Sequence, residues 1–217
     1  MSVRDLEQKR LGAAPGYPFA QPGDIFFTRG VNALGRLIRW AEREDGEAET
    51  WANHVGGIVH PGYLVPPVGR ITALARASEA LWKIEDHIWW HAHKKNQGYA
   101  VALYRPRQFN GDEGVERVVN NWLSRTGNKY GWWRLLTFLG EKLTGLPLTR
   151  LHSQSERIVC SNHTALGLAA DGIRFNDLGQ DAHDTDPDEL MDYCAAHPEE
   201  FKFIGWAVVP GAVSYTH

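Results

Sequence analysis

The residues of this chain best suited to chemistry are a cysteine and some of its ten histidines. Cys160 closes the apolar run in SERIVCSNHTALGLAADGI, residues 155–173. A helical pattern starts at it and stops at Asp171-Gly172. A sulfur at the first position of a helix meets unpaired backbone N–H groups and the positive end of the helix dipole, and both favour the thiolate. The same N–H groups can hold an oxyanion, which makes Ser161 a candidate for substrate binding. The opposing reading is a small, buried, inert hydrophobe. The only other cysteine, Cys194, falls beside Leu190 and Met191 on a helical face and is expected to be inert core.

A nucleophilic cysteine requires a base, and the base requires a partner that fixes its tautomer. His54 opens the strand-like HVGGIVH, where glycines permit close approach of another backbone. Glu79 stands in RASEALW, late in a second strand. If the turn between them centres on Pro66-Pro67, opposed residues sum to 133, which sets His54 opposite Glu79. A carboxylate there would support the imidazolium. Against this, His54 reads equally as a strand-edge histidine bonded to a loop, and Glu79 as a surface carboxylate.

Other clusters carry less. His87, His91 and His93 in DHIWWHAHKKN have a spacing that suits no common metal site, so no metal is expected. His163, three residues after Cys160, is a competing base or a residue lining the helix. His60 shares strand parity with His54, but the turn after it favours exposure. DAHDTDPDE is acid-rich without the glycine and spacing of an EF-hand loop. Trp132, Trp133, Leu135, Leu136, Phe138 and Leu139 form either a core helix or an apolar wall, lid or lipid-contacting segment beside the substrate.

These residues need elements to position them. GDIFF reads as a buried strand, and Leu34, Leu37, Ile38 and Ala41 repeat at helical spacing with Arg36, Arg39 and Arg43 elsewhere on the surface. HVGGIVH and ITALARASEALW suit a hairpin, and YAVALYRPR is a strand stopped by Pro106. Val115, Val118, Val119, Trp122 and Leu123 mark a helix over 113–126 that stops at Gly127-Asn128. A helix over 160–171 follows. Asp186-Pro187-Asp188-Glu189 has the form of a capping box with proline at the first helical position, and opens a helix to about His197-Pro198. FKFIGWAVV makes a last strand. Strands in series flanked by helices give an α+β domain with a mainly antiparallel sheet.

Length and composition bound the function. With 217 residues, 43% hydrophobic, the chain suits one packed domain, read as an arm over 1–21 and a domain over 22–217. A formal net charge of −3 gives no basic bias toward nucleic acid. MSVRDLEQKR lacks the apolar core of a secretory signal, and no stretch is long and apolar enough to span a bilayer. Two cysteines make no disulfide framework, so a cytoplasmic protein is expected. A phage-encoded or otherwise delivered protein would read the same way.

The ordered set GDIFF, NHVGGIV, SEAL, KYG, VCSN and DPDEL resembles the circularly permuted branch of the NlpC-like papain-fold cysteine hydrolases, which includes the YiiX-like proteins and the lecithin retinol acyltransferase group. The resemblance runs over about residues 22–206 and rests on the order of short motifs: histidine, polar residue, then cysteine. It implies a permuted papain-like fold with an antiparallel sheet packed against helices. It also implies Cys160 as nucleophile, His54 as base and Glu79 as third member, with no metal or organic cofactor. Tyr130 in NKYGW matches a tyrosine common in these proteins, although Gly131 stands where aspartate is usual. Tyr130 and Trp133 join Ser161 as substrate-binding candidates. The implied activity is amide hydrolysis on a peptide, such as a peptidoglycan stem peptide, or on an acyl amide. Lipid-directed thioesterase or acyltransferase activity is the alternative, and a non-catalytic peptide-binding module a third.

Overall fold

A computed structural model describes residues 17–30, 36, 39, 50–66, 73–129, 131, 140, 144, 159–175 and 186–210. In chain order the elements are β1 (Phe19–Ala20), β2 (Ile25–Arg29), β3 (His54–His60), β4 (Gly62–Tyr63), β5 (Arg76–Ala80), β6 (Ile84–Ile88), α1 (Trp89–His93), β7 (Ala100–Pro106), α2 (Gly111–Ser124), α3 (Cys160–Ala169), α4 (Pro187–Ala196) and β8 (Phe201–Val208). Six strands form one sheet in the order β6-β5-β3-β2-β7-β8, and every neighbouring pair is antiparallel. β1 and β4 make a separate two-stranded ribbon. The chain is an α+β protein with antiparallel sheets packed against helices.

Both faces of the large sheet are covered. Ile25, Phe27, Val55, Ala102 and Tyr104 meet Trp122 of α2, Leu168 of α3 and Leu190 of α4 in one core. Phe26, Ile58, Ala77, Val101 and Leu103 form a second core on the other side, with Trp89, Leu64 and Val65. A strand covered on both sides gains nothing from polar alternation, which is why IFF and AVALY read as continuous apolar runs.

Two adjacent glycines in β3 serve the two faces. A Cβ on Gly57 would come within 2.5 Å of the Trp122 ring, and one on Gly167 of α3 would overlap the same indole. Trp122 is therefore seated on bare backbone from β3 below and α3 beside it, and its Nε1–H donates to the Thr164 carbonyl at 3.3 Å. That fully buried indole sets the distance of α3 from β3. Burial of this size is worth about 3–5 kcal/mol against alanine. On the opposite face, a Cβ on Gly56 would come within 2.5 Å of Phe26 and 2.9 Å of the Glu79 Cγ. The bare backbone of Gly56 is the floor over which the Glu79 side chain lies.

The expected hairpin exists with a different register. Glu79 stands opposite Gly56, Ser78 opposite Gly57 and Ala77 opposite Ile58, so paired numbers sum to 135 and His54 is not opposite Glu79. His54 pairs with Thr28 of β2 instead. The connection is longer than a tight turn at Pro66-Pro67 because Gly62–Tyr63 leaves to pair with β1, and Tyr63 also bridges Leu74. Arg39 is a further correction. It is buried, 3% exposed, with its guanidinium on the Gly30 carbonyl, where the helical pattern put it on the surface. The other apolar positions of that pattern, and residues 132–139, lie outside the described residues.

Candidate active site

Cys160 is the first residue of α3 and His54 the first of β3, so both stand at element ends brought together by the packing around Trp122. Val159, at the N-cap, offers no side-chain cap, and the first turn of α3 holds no acidic residue. The free backbone donors at this end are used by the sulfur, which accepts from Ser161 N–H and from Val55 N–H of β3. Cys160 is 5% exposed. Burial pushes its thiol up, but the hydrogen bond from His54, the charge on that ring and the two backbone donors outweigh it and hold the thiol below its ordinary value.

His54 Nε2 lies 2.9 Å from Glu79 Oε2, and the ring also bonds Cys160. Burial disfavours its imidazolium, while the bonds to Cys160 and Glu79 and the negative charge on both favour it. The balance raises its pKa to about 10. Glu79 is fully buried, in the fourth position of β5. Burial pushes its carboxyl up, yet the charge of His93 and hydrogen bonds from His54, His87 and His93 hold it well below the usual carboxylate range. The arrangement is a thiol and an imidazole in hydrogen-bond contact, with a buried carboxylate behind the ring.

The sequence candidates divide as follows. Cys160, His54 and Glu79 meet, although through a diagonal contact across Gly56 rather than a directly opposed pair. Ser161 is buried in the first turn of α3, with its backbone N–H on the sulfur. Tyr130 and Trp133 lie outside the described residues. His163 does not compete as a base. It is fully buried, its Nε2 lies 2.9 Å from Ser78 Oγ, and burial with the nearby Arg125 and His54 charges depresses its pKa to about 3. His60 is exposed and bonds its neighbour's carbonyl on Pro61. Cys194 is buried at the eighth of the ten residues of α4, and burial with the Glu200 charge pushes its thiol well up.

Two residues at the site were missed by sequence reading. His87 Nε2 lies 2.9 Å from Glu79 Oε1, and His93 Nε2 lies 3.3 and 3.2 Å from the two carboxylate oxygens. His91, grouped with them by spacing, is exposed. The available signal was parity in KIEDHI: as β6 pairs with β5, Glu85 falls opposite Glu79 and His87 opposite Ala77, on one side of the sheet.

No protein-family model matches the chain, and no curated protein matches it. Among solved structures it is similar to the crystal structure of metalloprotein yiiX from Escherichia coli O157:H7, at 18% sequence identity and a TM-score of 0.45. The match covers 71% of this chain and 68% of that one. Likeness at that level carries no argument about the site. Among the described residues no helix is long and apolar enough to cross a membrane.

Proposed function

We propose that this chain is a cysteine hydrolase that cleaves an amide bond, built on a circularly permuted papain-like fold. One observation carries the reading: Cys160 at an uncapped helix start is hydrogen-bonded to His54, whose Nε2 lies 2.9 Å from a fully buried carboxylate. Nucleophile, base and orienting carboxylate thus touch in that order in space, each on a different element.

The chemistry follows from the protonation states. The Cys160 thiolate attacks the carbonyl carbon, and the tetrahedral intermediate collapses as His54 gives its proton to the leaving amine. A thioester on Cys160 and a free amine result. Water then attacks the thioester, His54 takes its proton, and the carboxylic acid leaves as the thiolate returns. Because Nε2 is held by Glu79, Nδ1 is the nitrogen available for proton transfer. Glu79 stays ionised and stabilises the imidazolium without itself taking a proton.

Mass spectrometry of the acid-quenched protein, after exposure to a mixed peptide and lipid extract, tests the proposal. The expected product is a peptide-derived acyl group on Cys160 that is absent from Cys160→Ala. A lipid acyl group on the sulfur would move the assignment to thioester or acyl-transfer chemistry, and an unmodified Cys160 would refute catalysis. Glu79→Gln should retain the fold and lower turnover.

A further inference from the structure

Two histidines that this chemistry does not use end on the same carboxylate. His87 and His93 reach Glu79 from two different elements, β6 and α1, and one ring nitrogen of each and a Glu79 oxygen all lie within 4.8 Å of one another. The individual approaches to Glu79 Oε1 are 2.9 Å for His87 and 3.3 Å for His93. Metal bonds of about 2.0–2.1 Å at tetrahedral angles set neighbouring ligand atoms roughly 3.3 Å apart. Each imidazole thus already stands near the tetrahedral ligand spacing from the carboxylate, and the two ring nitrogens lie within 4.8 Å of each other.

The His93 ring is also backed as a ligand is, and the His87 ring has a carboxylate near its other nitrogen. A metal-bound imidazole gives its other nitrogen to a carboxylate, carbonyl or amide that fixes its orientation. His87 Nδ1 faces the Glu85 carboxylate at 3.9 Å, and His93 Nδ1 faces the Asn96 amide at 3.4 Å. Rotation of that amide presents its oxygen in the same place. The Trp89 ring lies 4.6 Å from the His93 ring at an interplanar angle of 33°, which holds it in position. His93 and Glu79 are buried, while the His87 side chain is 18% exposed and leaves a path to solvent.

We propose that Glu79, His87 and His93 form a binding site for a divalent transition-metal ion, with zinc the best match to two imidazoles and one carboxylate. Two nitrogens and an oxygen leave a fourth tetrahedral position for water. His54 lies outside this group, so Glu79 is shared: Oε2 faces His54, and the cation sits against the two other rings. The site stands on these three side chains and needs no reactive thiol.

Zinc chloride titrated by calorimetry into the chelator-stripped full chain tests it, with cobalt(II) absorbance as a second readout. Expected are one equivalent bound with a dissociation constant of roughly 1 μM or below, and visible cobalt bands without a thiolate charge-transfer band. His87→Ala, the least buried of the three, should weaken binding at least about 100-fold, beyond what loss of a mere orienting group costs. His93→Gln should do the same. Cys160→Ser, His91→Ala and His197→Ala should bind as the parent does; the last of these removes the surface group His197, Glu199 and Glu200. Absence of tight zinc binding would overturn the site and leave three ring N–H groups donating to one carboxylate. Binding unchanged by His87→Ala, or a thiolate band in the cobalt form, would overturn it too. Because the Cys160→Ser chain is read for metal alone, failure here leaves the hydrolase reading standing, and the reverse holds as well.

Discussion

Helices α3 and α4 are each ten residues long, each buries a cysteine, and both pack into the same core. Their N-termini are treated in opposite ways. At α4, Asp186 Oδ1 accepts from the N–H groups of Asp188 and Glu189 at 2.9 and 2.8 Å, Glu189 Oε2 accepts from Asp186 N–H at 3.1 Å, and Pro187 fills the first position. A side-chain cap, a reciprocal capping box and a proline at the first position are all present. At α3 none is, and the exposed donors face a sulfur. The same unsatisfied N–H groups serve stability in one helix and thiolate stabilisation in the other. Surroundings therefore separate two buried thiols: Cys160 at the first residue, with His54 and then the backbone donors beside it, is held low, and Cys194 at the eighth, which has no such ring, is pushed high.

The largest expected effect is the contrast in labelling. At pH near 6, iodoacetamide followed by peptide mapping should modify Cys160 at least about 100-fold faster than Cys194, since each pKa unit is worth roughly tenfold in thiolate. Equal labelling, or labelling of both only after unfolding, would erase the distinction between the helices. His54→Ala should then move Cys160 labelling to higher pH. Losing a nearby positive charge raises a thiol pKa, and a drop of about tenfold or more at pH 6 is expected. No change would show that the helix terminus acts alone.

A second test lies in the first turn of α4, and its sign is worked out from the folded pKa. Asp188 Oδ1 accepts from Trp51 and Ala52 N–H at 3.0 and 2.9 Å, but burial, then the neighbouring Asp192 and Asp186 charges, raise its pKa to about 7. The unfolded chain releases this proton near pH 4 and the folded chain near 7. Between those values the unfolded state holds fewer protons, so stability falls as pH rises. The slope is at most about 1.4 kcal/mol per pH unit. Urea melts from pH 4 to 7 should show that slope in the parent and lose it in Asp188→Asn, which keeps the acceptor oxygen. Parallel curves would mean that Asp188 is ionised throughout.

The smallest effect is the exchange of caps. Asp186→Ala should cost about 1 kcal/mol in the same melts. Val159→Asp, which adds the missing cap to α3, should leave stability within about 1 kcal/mol of the parent or raise it. It should nevertheless slow Cys160 labelling at pH 6, because a carboxylate would compete for the Ser161 N–H and repel the thiolate. Faster labelling in Val159→Asp would contradict the assigned role of the open terminus.

What the sequence made legible was local. The capping box of α4 is contained in four consecutive residues and could be read directly. The stop after α3 is one glycine, Gly172, at a φ of +78°, where only glycine sits without strain. The register of β3 against β5 was not legible, because it depends on β4 leaving to pair with β1, a contact set by tertiary packing. Strand parity survives an even slip, so His54 and Glu79 still met when the register was two residues off. The His87–His93 pair was hidden for a related reason. The two residues straddle a strand-to-helix junction, so neither a period of 2 nor one of 3.6 relates them. Arg39 shows the limit of a helical wheel: a long side chain can bury its head on a carbonyl, here that of Gly30, from what reads as a polar face.

The strand order also governs when the site comes into being during synthesis. β2, β3, β5, β6 and β7 are all made before Cys160, and β2-β3, β3-β5 and β5-β6 are neighbours in the sheet. A chain emerging at about 5–20 residues per second therefore carries His54 and Glu79 for several seconds before any thiol can meet them. The carboxylate and its ring are translated first, and the reactive sulfur follows. α4 and β8, which finish the core over α3 and the outer edge of the sheet, come last. Until they arrive, α3 lacks part of the core that holds it against β3, so the pairing that activates the thiol is secured only as the domain closes.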